Sequence, residues 1–260
     1  MNNAQSIFEK YGLTAPTPED LAPMPGPGSG AQPAQEQPSE WAMRRAGLIT
    51  SSQFDKVKIQ AKGGGFYQGT ETYLDEKVGE WGTGMPAPNS AEYAKAVQWG
   101  KAQEKYALFE FQKTMKHKKV TCWGDQQKFF QLKGYPLIGG TPDGLVGRDG
   151  VLEIKCPWNS GNHARTVRTL AIPDNYVDQV NGHLLITGRK VAYFVSYDPR
   201  FVLCPLVIVR VERDEAAINE LKARLVKAHD ELCARLKGMK INWRALRRER
   251  LEQYKQTATP

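Results

Sequence analysis

Two short runs of sequence decide the fold: Gly139-Gly140-Thr141-Pro142-Asp143-Gly144 and, shortly after it, Val151-Leu152-Glu153-Ile154-Lys155-Cys156. Because side chains alternate along a strand, the second run places Val151, Glu153 and Lys155 on one face and Leu152, Ile154 and Cys156 on the other. Asp149-Gly150 between the runs is a hairpin signal, which predicts that Asp143 folds back beside Glu153. Carboxylate oxygens in this arrangement suit Mg²⁺ or Mn²⁺ better than zinc. The pattern therefore predicts metal-dependent phosphodiester chemistry.

Composition limits the setting of this chemistry. The 260 residues suffice for one α/β domain, and a net charge of +8 with an isoelectric point of about 9.2 favours a polyanionic partner. The four cysteines form no Cys-x-x-Cys pair, which argues against a zinc site or a disulfide framework. No apolar run reaches membrane-spanning length, and the first residues lack the layout of a signal peptide. We therefore expect a cytoplasmic protein with no membrane partner.

The order of the predicted elements describes an α/β fold. Residues 1–40 are expected to hold a short helix, Ala4–Tyr11, and a proline-rich connector at 14–39, while 41–260 form a single domain. Within this domain we predict helices at about 51–57, 90–115, 174–187 and 214–237, and strands at about 135–141, 144–147, 151–156, 190–197 and 202–212. A basic helical segment, Lys237–Gln256, ends it. This order predicts a mixed central β-sheet flanked by helices.

A third carboxylate lies in the predicted helix at 90–115. Glu104 shares the helical line of Lys101 and Phe111, which predicts that it faces inward. A buried carboxylate is costly unless it is paired or binds a metal. Taken alone, a surface ion pair with Lys101 or Lys105 explains Glu104 better. Beside the two carboxylates of the hairpin the metal hypothesis gains, because a two-metal site needs a third acidic ligand.

Five blocks along the chain are distinctive: Trp41…Arg45-Ala-Gly-Leu-Ile-Thr-Ser-Ser52; Ala96-Val-Gln-Trp-Gly-Lys-Ala-Gln-Glu104; Thr141-Pro-Asp-Gly144; Leu152-Glu-Ile-Lys-Cys-Pro-Trp158; and Tyr176-Val-Asp-Gln179 with Tyr197-Asp-Pro-Arg200. In this order they resemble the phage lambda exonuclease, or YqaJ-like viral recombinase, family within the PD-(D/E)xK nucleases. A Pro-Asp…Glu-x-Lys match is only moderately specific, whereas five ordered blocks are much harder to obtain by accident. The resemblance implies a restriction-endonuclease-like core.

The resemblance also implies a catalytic role for four side chains. Asp143 and Glu153 would be metal ligands, together with the main-chain carbonyl of Ile154. Glu104 would hold the second metal or its water, and Lys155 would orient the attacking water and counter charge on the scissile phosphate. The expected cofactor is Mg²⁺, with Mn²⁺ as a substitute, at two ions per active site. A strand lysine that simply faces solvent is the alternative for Lys155.

A second site, for the end of the DNA, is predicted around residues 49–52. A strand or loop turning into a helix there would offer hydroxyls and free N–H groups to a phosphate, and Arg45 is near enough to add its guanidinium. Simple helix capping by Ser51 and Ser52 is an alternative, and both could hold. The resemblance implies that the terminal 5′-phosphate is bound by Arg45, Ser52, Thr141 and Gln179.

Several other residues have a role implied by the resemblance, an ordinary structural explanation, or both. The resemblance implies DNA contacts at Trp41, Lys95, Val97 and Arg165. Val97 would be an apolar wedge at the duplex end, although its helical spacing is also typical of core. Tyr176, Gln179 and His183 share a helix face, and we interpret His183 as part of a polar rim over the core. The basic segment 237–256 suits contact with a phosphate backbone, a solvated helix or a docking surface.

The function implied is a Mg²⁺-dependent 5′→3′ exonuclease that degrades one strand of linear double-stranded DNA to 5′-mononucleotides. It would leave 3′ single-stranded tails for recombination by strand annealing. The family further implies a toroidal homotrimer, a phage single-strand annealing protein as partner, and a phage- or prophage-encoded enzyme in a bacterial host. A restriction-like or structure-specific endonuclease and a catalytically silent DNA-end-binding protein remain alternatives. The Arg45–Ser52 pocket favours the exonuclease, because an endonuclease has no use for a terminal-phosphate site.

Overall fold

The structure, a computed structural model, describes residues 40–87, 91–123 and 128–257. The helices of the described chain are α1 (Glu40–Arg45), α2 (Gln68–Thr83), α3 (Ala91–Thr114), α4 (Ser160–Thr169), α5 (Asp174–Thr187), α6 (Glu215–Gly238) and α7 (Trp243–Thr257), with a 3-10 helix at Ser51–Lys56. The strands are β1 (Ile49–Thr50), β2 (Val120–Thr121), β3 (Phe130–Leu132), β4 (Tyr135–Gly140), β5 (Gly144–Val146), β6 (Gly150–Lys155), β7 (Val191–Tyr197) and β8 (Leu206–Glu212). The predicted helix Ala4–Tyr11 and the connector at 14–39 lie outside the described residues.

Within the described residues the strands form two sheets. The first has the order β1-β4-β3, with β1 parallel and β3 antiparallel to β4. The second has the order β2-β5-β6-β7-β8, in which β6 and β7 are parallel and the other pairs are antiparallel. The predicted α/β class with a mixed sheet flanked by helices is therefore confirmed. The sheet is divided at residues 141–143, where the chain passes from β4 to β5.

Strand β6 has the two chemically different faces that its alternation predicts. Leu152 and Ile154 pack with Tyr106 and Phe111 of α3 in one core cluster. Val151 belongs to a second cluster on the opposite face, with residues of α5 and α6. Since Glu153 lies on the same face as Val151, its carboxylate enters the layer between the sheet and α5.

Helix α2 was not predicted, and its packing explains why. It buries Lys77 and Glu80 among its apolar residues, with Lys77 Nζ 2.9 Å from each carboxylate oxygen of Glu80. These charged residues interrupt the periodicity by which an amphipathic helix is recognised. Glu80 also accepts a hydrogen bond of 2.6 Å from Gly47 N, and Trp81 Nε1 donates to Gly47 O at 2.8 Å. Helix α2 therefore fixes the turn between α1 and β1.

Other boundaries differ from prediction in ways that local hydrogen bonds explain. The predicted strand at 202–212 begins only at Leu206, because residues 198–205 form a loop closed by Phe201 N to Asp198 O and Cys204 N to Phe201 O. The predicted helix at 51–57 is the 3-10 helix, and α4 was not predicted. The basic C-terminal segment is helical in α7. None of the helices described is long and apolar enough to cross a membrane.

Candidate active site

The β5–β6 hairpin holds Asp143 beside β6, as the sequence predicts. Gly144 pairs with Leu152 across the two strands. Asp143 N donates to Leu152 O at 3.0 Å, and Ile154 N donates to Asp143 Oδ2 at 2.6 Å. Both the backbone and the side chain of Asp143 are thus tied to the strand that carries Glu153.

Glu153 is the most enclosed charged group of the site. It is 2% exposed, and its Oε1 lies 2.6 Å from Lys155 Nζ and accepts a 2.6 Å hydrogen bond from Gln179 Nε2. Lys155 Nζ also lies 4.9 Å from the centre of the Tyr176 ring. This pairing contradicts the alternative of a strand lysine that simply faces solvent.

The charges of these residues shift one another's pKa values. Burial, then the neighbouring Glu153 carboxylate, raises the pKa of Asp143 well above its usual value. Burial would also raise the pKa of Glu153, but Lys155 and His183 outweigh it and hold that pKa at about 2. Burial would lower the pKa of Lys155, yet the two carboxylates raise it above its usual value. Asp143 is therefore the carboxyl group whose ionisation Lys155 and Ile154 N compensate only in part.

Glu104 contributes to the same negative region from α3. Its charge helps to raise the pKa of Asp143, and it joins burial and Asp143 in raising the pKa of the Cys122 thiol to about 11. The inward-facing line predicted for this helix is displaced, since Lys101 is exposed and Glu104 half-buried. The buried side of α3 instead includes Gln103 and Ala107. Glu104 therefore lies at the edge of the buried face, close enough to act on Asp143.

This donor set fits a hard divalent cation. Among the described residues, no three His, Cys, Asp or Glu side chains already form a metal-binding group. However, Asp143, Glu153 and Glu104 supply oxygen donors, and burial followed by the neighbouring carboxylates raises the pKa of Asp143, a cost that a bound cation would relieve. Mg²⁺ and Mn²⁺ favour such oxygen ligands.

The predicted phosphate pocket assembles from three separate segments. Arg45 Nη2 donates to Ser52 Oγ at 2.9 Å, and the Arg45 guanidinium stacks 4.0 Å above the Trp41 ring. Thr50 pairs with Gly139 in the parallel β1–β4 ladder, so Ser52 and Thr141 each lie two residues beyond this pair. The Thr141 hydroxyl is buried and has no hydrogen-bond partner among the described residues. An arginine, an accessible hydroxyl and an unsatisfied hydroxyl therefore lie at one sheet edge.

Helix capping does not explain the two serines. Thr50 occupies the cap position of the 3-10 helix, and its side chain makes no capping bond. Ser52 bonds to Arg45, and Ser51 Oγ lies 2.8 Å from His183 Nε2. Both hydroxyls thus contact side chains from other parts of the chain.

Helix α5 contributes more to the site than the sequence suggested. The interpretation of His183 as part of a polar rim is wrong, because His183 is fully buried and its Nδ1 lies 3.1 Å from Glu153 Oε2. Gln179, predicted to bind the terminal phosphate, donates to Glu153 instead, and its phosphate role stays a prediction. Tyr176, Gln179 and His183 lie three and four residues apart, so their shared helix face was the available signal.

The other residues predicted to contact DNA lie outside the β5–β6 hairpin. Trp41 is exposed and tied to the pocket through Arg45. Lys95 and Val97 are half-buried near the start of α3, and Arg165 is exposed on α4. Their contacts with DNA stay predictions.

Residues 40–190 match the family model of the YqaJ-like viral recombinase domain. The chain belongs to this family. The matched residues include α1, the β5–β6 hairpin and the part of α5 that contacts Glu153. The YqaJ-like region therefore contains both the carboxylate–lysine set and the predicted phosphate pocket.

Solved structures of two exonucleases are similar to this YqaJ-like chain. The crystal structure of the alkaline exonuclease LHK-Exo from Laribacter hongkongensis is 30% identical, with a TM-score of 0.67 over 77% of this chain and 95% of that one. The structure of LHK-Exo in complex with dAMP matches equally well. A phage-related exonuclease from Haemophilus somnus 129PT is 16% identical, with a TM-score of 0.58 over 74% of this chain and 96% of that one, and supports the fold alone. No curated protein sequence matches the chain. The expected restriction-endonuclease-like core is confirmed by these similarities.

Proposed function

We propose that this chain is a Mg²⁺-dependent 5′→3′ exonuclease acting on linear double-stranded DNA. Its family and its similarity to LHK-Exo support a nuclease of the phage exonuclease type. The observation that carries the finer proposal is that the carboxylate–lysine set and the Arg45–Ser52 pocket meet at one helix. His183 of α5 lies beside both Glu153 and Ser51, the neighbour of Ser52. An endonuclease would have no use for a pocket suited to a terminal phosphate.

In this proposal each residue of the hairpin has a separate task. Asp143, Glu153 and the main-chain carbonyl of Ile154, with Glu104, would hold two Mg²⁺ ions, which Mn²⁺ can replace. Bound Mg²⁺ would supply Lewis acidity that stabilises negative charge on the scissile phosphate. Lys155, whose raised pKa keeps it charged, would orient the attacking water and counter the charge of that phosphate.

The phosphate pocket would set the polarity and the product. Arg45 offers a forked guanidinium to a terminal 5′-phosphate, and the hydroxyls of Ser52 and Thr141 complete the recognition. Anchoring the terminal phosphate would present the first phosphodiester bond to the hairpin, so that each cut releases a 5′-mononucleotide. The dAMP bound by LHK-Exo belongs to this class of product.

Removal of one strand from its 5′ end would leave a 3′ single-stranded tail for recombination. We place the enzyme in the cytoplasm of a bacterial host, encoded by a phage or prophage, with a phage single-strand annealing protein as its partner. A toroidal homotrimer would enclose the duplex. Membership of the viral recombinase family supports this setting.

Digestion of three matched DNA substrates tests the proposal. Linear duplexes with 5′-phosphate or 5′-hydroxyl ends and closed circles are incubated with Mg²⁺ or with a chelator, and the products are sized. We expect mononucleotides, released fastest from phosphorylated ends, with closed circles intact and no cleavage in chelator. Cleavage of circles would retain the metal site but replace the exonuclease with an endonuclease. Tight binding to DNA ends without cleavage would instead support a catalytically silent DNA-end-binding protein.

A further inference from the structure

One buried histidine lies between the two halves of the site. His183 is fully buried on α5, with Nε2 2.8 Å from Ser51 Oγ and Nδ1 3.1 Å from Glu153 Oε2. Neither Nδ1 nor Glu153 Oε2 has an aligned hydrogen bond among the described residues, so these two atoms are in close contact only. Nε2 shares a hydrogen bond with the Ser51 hydroxyl, which can either donate or accept it. One imidazole ring thus spans from the proposed metal ligand to the segment that carries Ser52.

Two glycines make this close approach possible. A side chain at Gly182, the neighbour of His183, would overlap the ring of Phe54 in the 3-10 helix. A side chain at Gly140 would overlap Ser51 itself. The 3-10 helix is therefore held tightly between β4 and α5, with Ser51 facing His183. Such packing transmits a displacement of one segment directly to the other.

The contacts of Glu153 divide between two directions. Oε1 is held by Lys155 and Gln179, and His183 stands at Oε2. Among the described residues, Glu153 Oε2 has no partner with hydrogen-bond geometry. His183 Nδ1, 3.1 Å away, therefore restricts this oxygen by close contact. Lys155 and Gln179 therefore hold Oε1, and the His183 ring limits how far Oε2 can move.

We propose that His183 is a positioning residue that couples the terminal-phosphate pocket to Glu153. Resting on the exonuclease function proposed above, it fixes the spacing between the anchored 5′-phosphate and the phosphodiester bond that is cut. The preference for phosphorylated ends and the uniform mononucleotide product then both depend on the Ser51–His183–Glu153 contacts. A displacement of about 1 Å in such an arrangement costs up to about a hundredfold in rate.

Two substitutions at His183 separate its two contacts. Asn carries its amide nitrogen near the position of Nδ1, so His183→Asn retains a donor toward Glu153 and loses Ser51. Gln carries its amide nearer the position of Nε2, so His183→Gln reaches Ser51 and loses Glu153. Ser51→Ala removes the same contact as His183→Asn from the other side.

The test compares initial rates and product sizes on 5′-phosphate and 5′-hydroxyl duplex ends. For His183→Asn and Ser51→Ala we expect the ratio of the two rates to fall about tenfold, with longer products appearing, while cleavage of hydroxyl ends persists. The double variant should lose no more of this ratio than either single variant. His183→Gln should instead lower kcat on both kinds of end, with KM little changed.

A second buried histidine supplies the matched control. His163 of α4 is also fully buried, with Nδ1 2.8 Å from Ser196 Oγ and Nε2 2.8 Å from Cys204 O. His163→Asn should lower the thermal midpoint without changing the ratio for phosphate and hydroxyl ends. An equal fall in the ratio for His163→Asn would reduce the effect to general destabilisation and overturn the proposal.

The wild-type reactions separate this inference from the function on which it rests. If the wild type prefers phosphorylated ends and Ser51→Ala and His183→Asn keep its full ratio, the coupling is wrong and the exonuclease stands. If the wild type does not cleave linear duplexes or shows no preference, the proposed function fails and the coupling fails with it.

Discussion

The proposed catalytic hairpin and the proposed phosphate pocket are built in opposite ways. The hairpin draws Asp143, Glu153 and Lys155 from one continuous segment, and strand pairing with a turn fixes their geometry. The pocket takes Arg45, Ser52 and Thr141 from segments that the β1–β4 ladder and the packing of α2 help to bring together. Chemistry encoded by local periodicity is therefore readable from the sequence, whereas recognition built from distant segments depends on the whole fold.

The two regions also differ in their electrostatics. The hairpin confines two carboxylates beside one lysine, and the Glu153 carboxylate is almost fully buried. The pocket has the Arg45 guanidinium beside neutral hydroxyls, and both Ser52 and Trp41 are exposed there. The hairpin therefore suits a cation, and the pocket suits an anion.

The largest effect should come from Glu153→Gln, which keeps the shape of the side chain and removes its charge. Loss of a charged ligand from a buried site should lower cleavage about 10³-fold or more on phosphate and hydroxyl ends alike. Single-turnover rates with excess enzyme measure this, and binding to duplex ends should persist. Cleavage within about tenfold of wild type would remove Glu153 from the catalytic set.

Arg45→Ala should affect the two kinds of end differently. Loss of a charge-assisted contact of about 1.5–3 kcal/mol should slow cleavage at phosphorylated ends by about ten- to a hundredfold. Cleavage at hydroxyl ends should be nearly unchanged. Initial rates on the two duplexes measure the ratio. Arg210→Ala, which alters an exposed arginine on β8, serves as the control. An equal loss on both ends would show that Arg45 acts on cleavage itself.

Gly47→Ala should damage the pocket through its support. Gly47 has φ of +79° and a side chain there would overlap the ring of Trp81, so we expect a loss of about 1–3 kcal/mol in the free energy of unfolding. Since Arg45 precedes this turn, the preference for phosphorylated ends should also fall. Denaturant unfolding and paired initial rates measure the two effects.

Gly79→Ala is the matched control for that turn, because Gly79 is helical and a side chain there meets nothing within 4 Å. It should stabilise the protein by about 0.5–1 kcal/mol. If Gly47→Ala kept the full preference for phosphorylated ends, the proposed support of the pocket by α2 would be wrong.

The smallest expected effect concerns how the stability of the fold depends on pH. The pKa of Asp143 is raised in the folded state, so its contribution to stability is present below the unfolded pKa of about 3.9 and lost as pH rises through the folded pKa. Glu153 has the opposite sign, since its stability is present above the unfolded pKa and lost as pH falls toward about 2.

Asp143→Asn removes the first of these terms and retains an oxygen that can accept from Ile154 N. At neutral pH in chelator it should raise the thermal midpoint by about 2–4 °C, while Mg²⁺ should stabilise the wild type more than the variant. Thermal melts at several pH values measure both. A lower midpoint for the variant in chelator would contradict the uncompensated charge of Asp143.

Much of the fold and of the hairpin could be predicted because the signals are local. The alternation in β6 and the stripe of buried residues along α6 correspond to single faces of single elements. Helix α2 could not be predicted in this way, because its buried Lys77–Glu80 pair breaks the apolar period. The strand predicted at 202–212 begins too early because Val202 and Leu203 continue its apolar pattern. In the structure they belong to a loop that an ion pair between the buried Asp198 and the partly exposed Arg200 helps to close.

The role of His183 could not be predicted for a different reason. Its sequence neighbours identify only a helix face, and the groups that it contacts, Ser51 and Glu153, come from two other segments. The displaced line on α3 has a related cause, since Gln103 is a buried polar residue where an apolar one is expected. Buried polar groups are held by partners that are distant in the sequence, so a local sequence pattern does not reveal them.

The most direct test is the rate of cleavage of a linear, 5′-phosphorylated duplex by Lys155→Ala with Mg²⁺ under single-turnover conditions. Lys155 is the one ammonium that pairs with Glu153 in the described site, so its removal should lower the rate about 10³-fold while DNA-end binding persists. Full cleavage by Lys155→Ala would contradict the assignment of the hairpin as the catalytic centre.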